Sequence, residues 1–246
     1  MRLLWNNLAD LYTITASTEA TGYPATNLQD TQLAKVWRST TASTSVLTID
    51  FTTTQAFTCA SIVGHNFNAS VVAYFETAAT SSFSAVSLVA TIDFNADTMI
   101  RFFASQSNRY ARYRIENSTA TDGYLEAGRV FAGTYYDFVG YDPSVDFPYQ
   151  LEDTSTRHDS WSGQIFGNPG VTLKIYEFAL PFLTNTMRTD LETIFQTVYT
   201  VKPVILVPST TLTTVAPLYC VFNKELAFNH LFSQNWNCQM AFKEAK

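Results

Sequence analysis

The segment "SVLTIDF" (residues 45–51) places Val46, Thr48 and Asp50 on one side of an extended chain and Leu47, Ile49 and Phe51 on the other. Such period-two alternation is the signature of a strand with one buried face. Its recurrence constrains this chain more than any other feature. "LYTITAS" (11–17) precedes it, and "FTCASIVGH" (57–65), "SVVAYFET" (70–77), "VSLVATIDF" (86–94), "MIRFFAS" (99–105), "RYARYRIEN" (109–117) and "YLEAGRVFAGTYY" (124–136) follow. Thr-Thr-Thr, Asn-Phe-Asn, Asn-Ala-Asp and Thr-Asp-Gly stretches stand between them as turn signals. Short strands at this spacing predict a β-sandwich or jelly roll over residues 1–136.

The grammar then changes. Residues 137–170 collect three prolines, several glycines and clustered acids, and read as a linker that becomes a loop or ribbon. Residues 171–246 predict a small α+β domain. A long strand, "VTLKIYEFALPFL", leads into the one convincing helix, 184–200. Met187, Leu191, Ile194, Phe195 and Val198 form its apolar stripe, and Thr184 to Thr186 offer N-caps. "KPVILVPS" (202–209) reads as a buried strand of this domain. In the closing strands Leu218, Cys220 and Phe222, then Trp236, Cys238, Met240 and Phe242, alternate toward one face. A helix laid across that face would bury both stripes.

Composition narrows the function. Aromatic residues make up 15% of the chain and charged residues only 15%, well below the usual quarter. The formal net charge is −6 and no basic run occurs, so nucleic acid is not an expected partner. No apolar run approaches the roughly 20 residues of a membrane helix, and no membrane insertion is expected. The N-terminal "MRLLWNNLADLYTITAS" is a poor signal peptide. Cys59, Cys220 and Cys238 include no CxxC pair; Cys220 and Cys238 flank a predicted hairpin tip near Asn229 and would face each other as free thiols.

Catalysis lacks its parts. His65, His158 and His230 have no metal-ligand spacing, so neither a metal nor another cofactor is expected. The neighbours His158, Asp159 and Ser160 point to alternate sides of one extended segment and cannot converge as a triad does. Asp50, Asp93, Asp97, Glu116, Asp122 and Glu126 supply carboxylates for a glycosidase, but strand ends and turns favour acids anyway. No catalytic residue is assigned, and the expectation is a protein that is not an enzyme.

"ITASTEATGYPATNLQDTQLAKVWRST" followed by "SVLTIDF" resembles the start of discoidin (F5/8 type C, galactose-binding-like) domains. The matching positions are Ala16-Ser17, Tyr23-Pro24, Asn27 with Asp30, Trp37 with Ser39, and Ile49-Asp50-Phe51; "NRYARYRIEN" and "YLEAGRVFAG" resemble the last strands. The resemblance covers about residues 12–133. It implies a jelly roll with a ligand site in the loops at one end, where Trp37, Arg38, His65, Asn66 and Asn68 would contact a sugar. For Trp37 the other reading is core packing with its N–H on a backbone acceptor; for "GHNFN" it is a plain turn. A calcium site near Asp30 has only one acid in its loop.

"GYPATNLQDTQLAKVWRS", "ASIVGHNF" and "LAFNHLFSQNWNCQMAFKEA" also resemble segments of tailed-bacteriophage tail-tip and baseplate proteins. The strand–helix–strand–hairpin order of 171–246 is similar to the ring-forming domain of distal tail proteins, although that domain usually comes first. This resemblance implies a virion structural protein, assembled in a bacterial cytoplasm as a homo-oligomeric ring and joining the tail tube to a distal hub or fibres. Tyr135, Tyr136, Phe138, Tyr141, Phe147 and Tyr149 would then pack between domains or against ring neighbours. The alternative is a carbohydrate-binding module of a host-receptor adhesin.

Overall fold

The computed structural model describes residues 1–116, 122–140, 149–209, 216–232 and 234–246. In chain order the strands are β1 (Arg2–Asn7), β2 (Ile14–Ala16), β3 (Trp37–Arg38), β4 (Ser45–His65), β5 (Val72–Ala78), β6 (Val86–Ile92), β7 (Thr98–Glu116) and β8 (Glu126–Asp137). Then come β9 (Tyr149–Asp153), β10 (Thr156–Asp159), β11 (Ile165–Asn168), β12 (Thr172–Leu183), helix α1 (Asn185–Val198), β13 (Val204–Val207), β14 (Leu218–Phe222), β15 (Ala227–Phe232) and β16 (Asn235–Glu244). The chain divides into two compact units. Arg2–Phe138 with Ile205–Leu218 form a sandwich unit, and Val139–Val204 with Tyr219–Ala245 form a helix-bearing unit. The protein is mainly β, and among the described residues no helix is long and apolar enough to cross a membrane.

In the sandwich unit two long strands serve both layers. The first half of β4 pairs with the end of β7, Ser45 opposite Ile115 through Asp50 opposite Tyr110. Its second half pairs with the start of β7 and with β8, Ser61 lying opposite both Ile100 and Phe131. Between these halves the register shifts, and Thr52 takes a φ of 57°. A β-branched residue rarely adopts that left-handed conformation. The Thr-Thr-Thr stretch expected as a turn is therefore a bend within one strand, and 99–105 with 109–117 likewise fuse into β7. One layer runs β2–β4–β7–β5–β6; the other adds β8, β1 and β13, with Leu3 opposite Tyr136 and Leu206. The expected strand 202–209 thus pairs with β1 through Ile205 to Val207, residues that group with this unit.

The alternating residues of both layers meet in one core. Leu47, Ile49, Phe51, Ile62, Phe75, Tyr113 and Val130 all belong to it. Phe51, Phe57, Phe75 and Tyr113 form an unbroken run of ring contacts at 4.9, 5.9 and 5.1 Å. Burying rings of this size supplies much of the apolar area that stabilises such a domain. The buried Tyr113 hydroxyl donates to the Phe131 carbonyl, so the core keeps its one phenolic group satisfied there.

In the helix-bearing unit β16 is central. Along one edge it pairs with β12, Ile175 to Leu183 matching Lys243 to Trp236, and along the other with β14 and β15. Strand β9 closes the β12 side. Thr184 caps α1 by accepting from the Met187 amide at 3.2 Å. Leu191, Ile194 and Val198 are buried, and Phe195 meets Phe222 edge-on at 5.4 Å. Cys220 lies opposite Glu244, whereas Cys238 lies opposite Leu180 and Phe228, six positions away along β16. The two thiols therefore do not face each other, because the hairpin reverses after Phe232 rather than at Asn229. All three cysteines are free and buried, and burial pushes the Cys238 thiol up to about 11. Buried thiols of this kind are poor nucleophiles.

The expected linker 137–170 contains β9 and a separate two-stranded ribbon, β10–β11, with Thr156 opposite Asn168. Every residue of both ribbon strands is exposed.

Candidate functional site

Trp37, Arg38 and Ser39 pair antiparallel with Ala127, Glu126 and Leu125. Alternation sends Trp37 and Ser39 inward and Arg38 outward. Trp37 has no solvent exposure, and its indole N–H donates to the Thr18 carbonyl at 3.1 Å. Its reading as a sugar platform is corrected here: the indole fills the sandwich interior. Ser39 Oγ accepts from the Leu125 amide at 2.8 Å and donates to the Thr41 carbonyl, so it too is structural.

Arg38 faces the loop end of the sandwich. Its guanidinium carbon lies 4.2 Å from the Tyr23 ring centroid and 4.1 Å from that of Tyr124. Nε and Nη2 both donate to Oε2 of Glu126, at 2.9 and 2.6 Å. Among the described residues neither Arg38 Nη1 nor Glu126 Oε1 has a protein partner, and neither is buried without one. The ion pair thus keeps one free donor and one free acceptor, with its guanidinium over two half-buried tyrosine rings. The Glu126 carboxylate raises the Arg38 guanidinium further above its ordinary value, so the charge is permanent.

Asn66 braces this cluster. Its Oδ1 accepts from the Glu126 amide at 2.8 Å, and its Nδ2 donates to the Tyr124 carbonyl and to Asp122 Oδ2, both at 3.1 Å. Every polar atom of that amide is engaged, so Asn66 positions Tyr124 rather than offering itself to a ligand. Asn68 Oδ1 accepts from the Ser70 amide and hydroxyl, the pattern of an Asx turn. His65 is stacked on Phe67 at 4.6 Å, accepts from the Phe67 amide at Nδ1 and reaches the Asn95 carbonyl from Nε2 at 2.9 Å. Burial pushes its imidazole below the ordinary value, although Asn95 and Asp97 pull it up. His65 is therefore a neutral structural group, and it and Asn68 lie outside the Arg38 cluster.

The residues missed in sequence are Tyr23 and Tyr124. Each sits in a Gly-containing turn, Gly22-Tyr23 and Gly123-Tyr124, with both glycines at positive φ. An aromatic at a turn that needs glycine was the available signal.

The other candidate residues are accounted for locally. Asp30 is bound by Lys35 Nζ at 2.7 Å. Asp50, Asp93 and Glu116 are paired with Arg109, Arg101 and Arg114. Among the described residues no three His, Cys, Asp or Glu side chains converge as a metal site. His158 and Asp159 lie on the exposed ribbon. Of the expected interface aromatics, Phe138 is buried against Tyr136 at 4.9 Å, which corrects its assignment to a contact surface with neighbouring copies. Tyr135 meets Phe102 at 4.9 Å and Arg2 at 4.4 Å within its own unit. Tyr149 is 57% exposed. Tyr141 and Phe147 lie outside the described residues.

No protein-family model matches the chain, and no curated protein matches it. Solved structures do resemble it. One is a family 32 carbohydrate-binding module from Clostridium perfringens NanJ in complex with galactose, at a TM-score of 0.42 and 12% identity over 55% of this chain and 100% of that one. Another is chitosan-binding module 1 from a Paenibacillus sp. IK-5 chitosanase/glucanase, at 0.43 and 15% over 52% and 99%. A third is the lectin domain of lectinolysin complexed with Lewis B antigen, at 0.41 and 14% over 52% and 96%.

Proposed function

We propose that the sandwich unit is a non-catalytic carbohydrate-recognition module of a surface adhesin. One observation carries this reading: the Arg38–Glu126 pair leaves Nη1 and Oε1 without a partner among the described residues and not buried, with the guanidinium over the rings of Tyr23 and Tyr124. A free charged donor and a free charged acceptor on one ion pair suit sugar hydroxyls, and charge strengthens both bonds. Aromatic faces beside them suit the C–H patches of a pyranose ring. A glycan array with the full chain should give hits that disappear in Tyr124→Ala while the melting transition is retained. An array without hits, or hits indifferent to Tyr124, defeats the proposal.

A second reading has its own support, in the helix-bearing unit. Ribbon β10–β11 exposes Ile165, Phe166 and a Trp161 that is entirely in solvent. An isolated two-stranded hairpin is marginal in water at best, so this ribbon calls for a partner surface. On this reading the chain is a tail-tip component of a tailed phage, found in the virion, with contacts to copies of itself and to tube, hub or fibre proteins. The two readings combine in a receptor-binding tail protein whose sandwich unit meets the host glycan. Molar mass in solution tests the assembly half: an oligomer supports it, and a strict monomer at high concentration counts against self-assembly.

A further inference from the structure

The outer surface of the β2–β4–β7 layer carries a groove of about 610 Å³, lined by Tyr12, Thr15, Thr48, Asp50, Thr52 and Tyr110 among others. Its position follows from strand register. Thr15 lies opposite Thr48, and Asp50 lies opposite Tyr110, so the non-core faces of three neighbouring strands supply its floor. Its volume falls within the usual range for small-molecule sites.

The walls are held in place. Tyr12 packs edge-on against Phe51 at 5.2 Å, and its hydroxyl accepts from Gln55 Nε2 at 3.2 Å. Arg109 grips Asp50 with Nε on Oδ1 at 2.8 Å and Nη2 on Oδ2 at 2.9 Å, and the Thr52 amide adds a third donor at 2.8 Å. The same Arg109 lies 4.9 Å from the Tyr110 ring. Its hydrogen bonds hold the Asp50 carboxyl below the usual carboxylate range, so the acceptor stays ionised. Thr52, at the left-handed bend of β4, stands on the rim. Backbone strain at a β-branched residue gathers preferentially where a surface has work to do.

The lining decides the ligand class. Asp50 is the single carboxylate there, too few oxygens for a hard cation. The one cation beside the groove, Arg109, is committed to Asp50, and no other Lys or Arg lines it, which disfavours a phosphate or other anion. Threonine hydroxyls across the floor disfavour a purely apolar guest. Two tyrosine rings, four threonines and one fixed carboxylate fit a neutral, hydroxyl-rich molecule. We propose that this groove is a second, independent saccharide site, taking a neutral sugar with its ring against Tyr12 or Tyr110 and its hydroxyls on Asp50, Thr15 and Thr48. Two sites on one module raise avidity for a multivalent surface when both can engage at once.

The test uses the full chain carrying Tyr124→Ala, which disables the loop-end cluster. Calorimetric titration with galactose, N-acetylgalactosaminyl-β-1,3-galactose and an N-acetylglucosamine trisaccharide should still show saturable, millimolar binding of at least one sugar. Adding Tyr110→Ala should weaken that binding by about tenfold or more, the effect of losing one stacking anchor. Thr15→Ala, at an exposed strand position, should weaken it in the same direction while the melting transition is retained. Binding by the native chain that vanishes in Tyr124→Ala overturns the groove while leaving the loop-end site standing. Binding that ignores both groove substitutions overturns it too, and absence of binding to any of these sugars defeats both sites.

Discussion

Trp37 and Thr18, nineteen residues apart, are joined by an indole N–H donated to a main-chain carbonyl at 3.1 Å, with no part of the Trp37 side chain in solvent. That contact, with Ala25 and Leu28 in the core, ties the irregular stretch before β3 to the sandwich interior. Trp37→Ala should therefore destabilise the protein by about 3–5 kcal/mol, the usual cost of emptying so large a volume. Urea denaturation measures it. A loss below about 1 kcal/mol would mean the site collapses around the smaller residue or that the indole is not the plug described.

Gly133 lies on β8 against the Asn6 carbonyl of β1. A methyl group there would collide with backbone, which cannot rotate away as a side chain can. Gly133→Ala is expected to cost about 1–3 kcal/mol, although alanine suits strands no worse than glycine. Thermal melting of the variant beside the parent chain gives the answer, and an unchanged melt would contradict the close strand approach.

Glu76 is almost wholly buried and is held by Arg112 Nε on Oε2 at 2.5 Å and Arg114 Nε on Oε1 at 2.9 Å. Burial alone raises its pKa, but the hydrogen bonds from Arg114 and Arg112 outweigh it and the net shift is downward. A carboxyl whose folded pKa lies below its unfolded value stabilises the fold above the unfolded pKa, about 4.3. That contribution is lost as pH falls through the folded pKa. Stability of the parent chain should thus fall more steeply below about pH 4.3 than that of Glu76→Gln, which has no such proton to bind. Denaturation midpoints across that range decide it; parallel curves would remove Glu76 from the acid response.

Trp161 is fully exposed in the turn of the β10–β11 ribbon. Trp161→Ser should leave unit stability within about 0.5 kcal/mol, as surface changes usually do. The same substitution should reduce self-association in sedimentation runs, because an exposed tryptophan is the kind of anchor on which interfaces depend. Unaltered oligomer mass would place any assembly contact elsewhere.

What was readable before folding was whatever depends on near neighbours in the chain. The alternation of 45–51 marked Leu47, Ile49 and Phe51 for the core, and all three are fully buried. The stripe Leu191, Ile194 and Val198 and the cap at Thr184 placed the helix, since a 3.6-residue period and a side-chain cap are local properties. Wherever a residue's partner lay far along the chain, local pattern was silent. Three consecutive threonines look like a turn, and only pairing with β7 on both sides makes them a bend inside one strand. The strand at 204–207 was visible as apolar, but its neighbour β1 is two hundred residues earlier, so that pairing was not readable.

The candidate site shows the same division. Sequence by itself determined that an aromatic, a guanidinium and polar turn residues occur near the loop end, because composition and turn chemistry are carried by each residue. It could not say which of them faces water. That was decided by the antiparallel match of Trp37-Arg38-Ser39 with Leu125-Glu126-Ala127, where a one-residue slip would exchange the inner and outer sets. Only the tertiary structure turned Trp37 inward, engaged Asn66 and His65 in bracing, and brought Tyr23 and Tyr124 to Arg38 from turns a hundred residues apart.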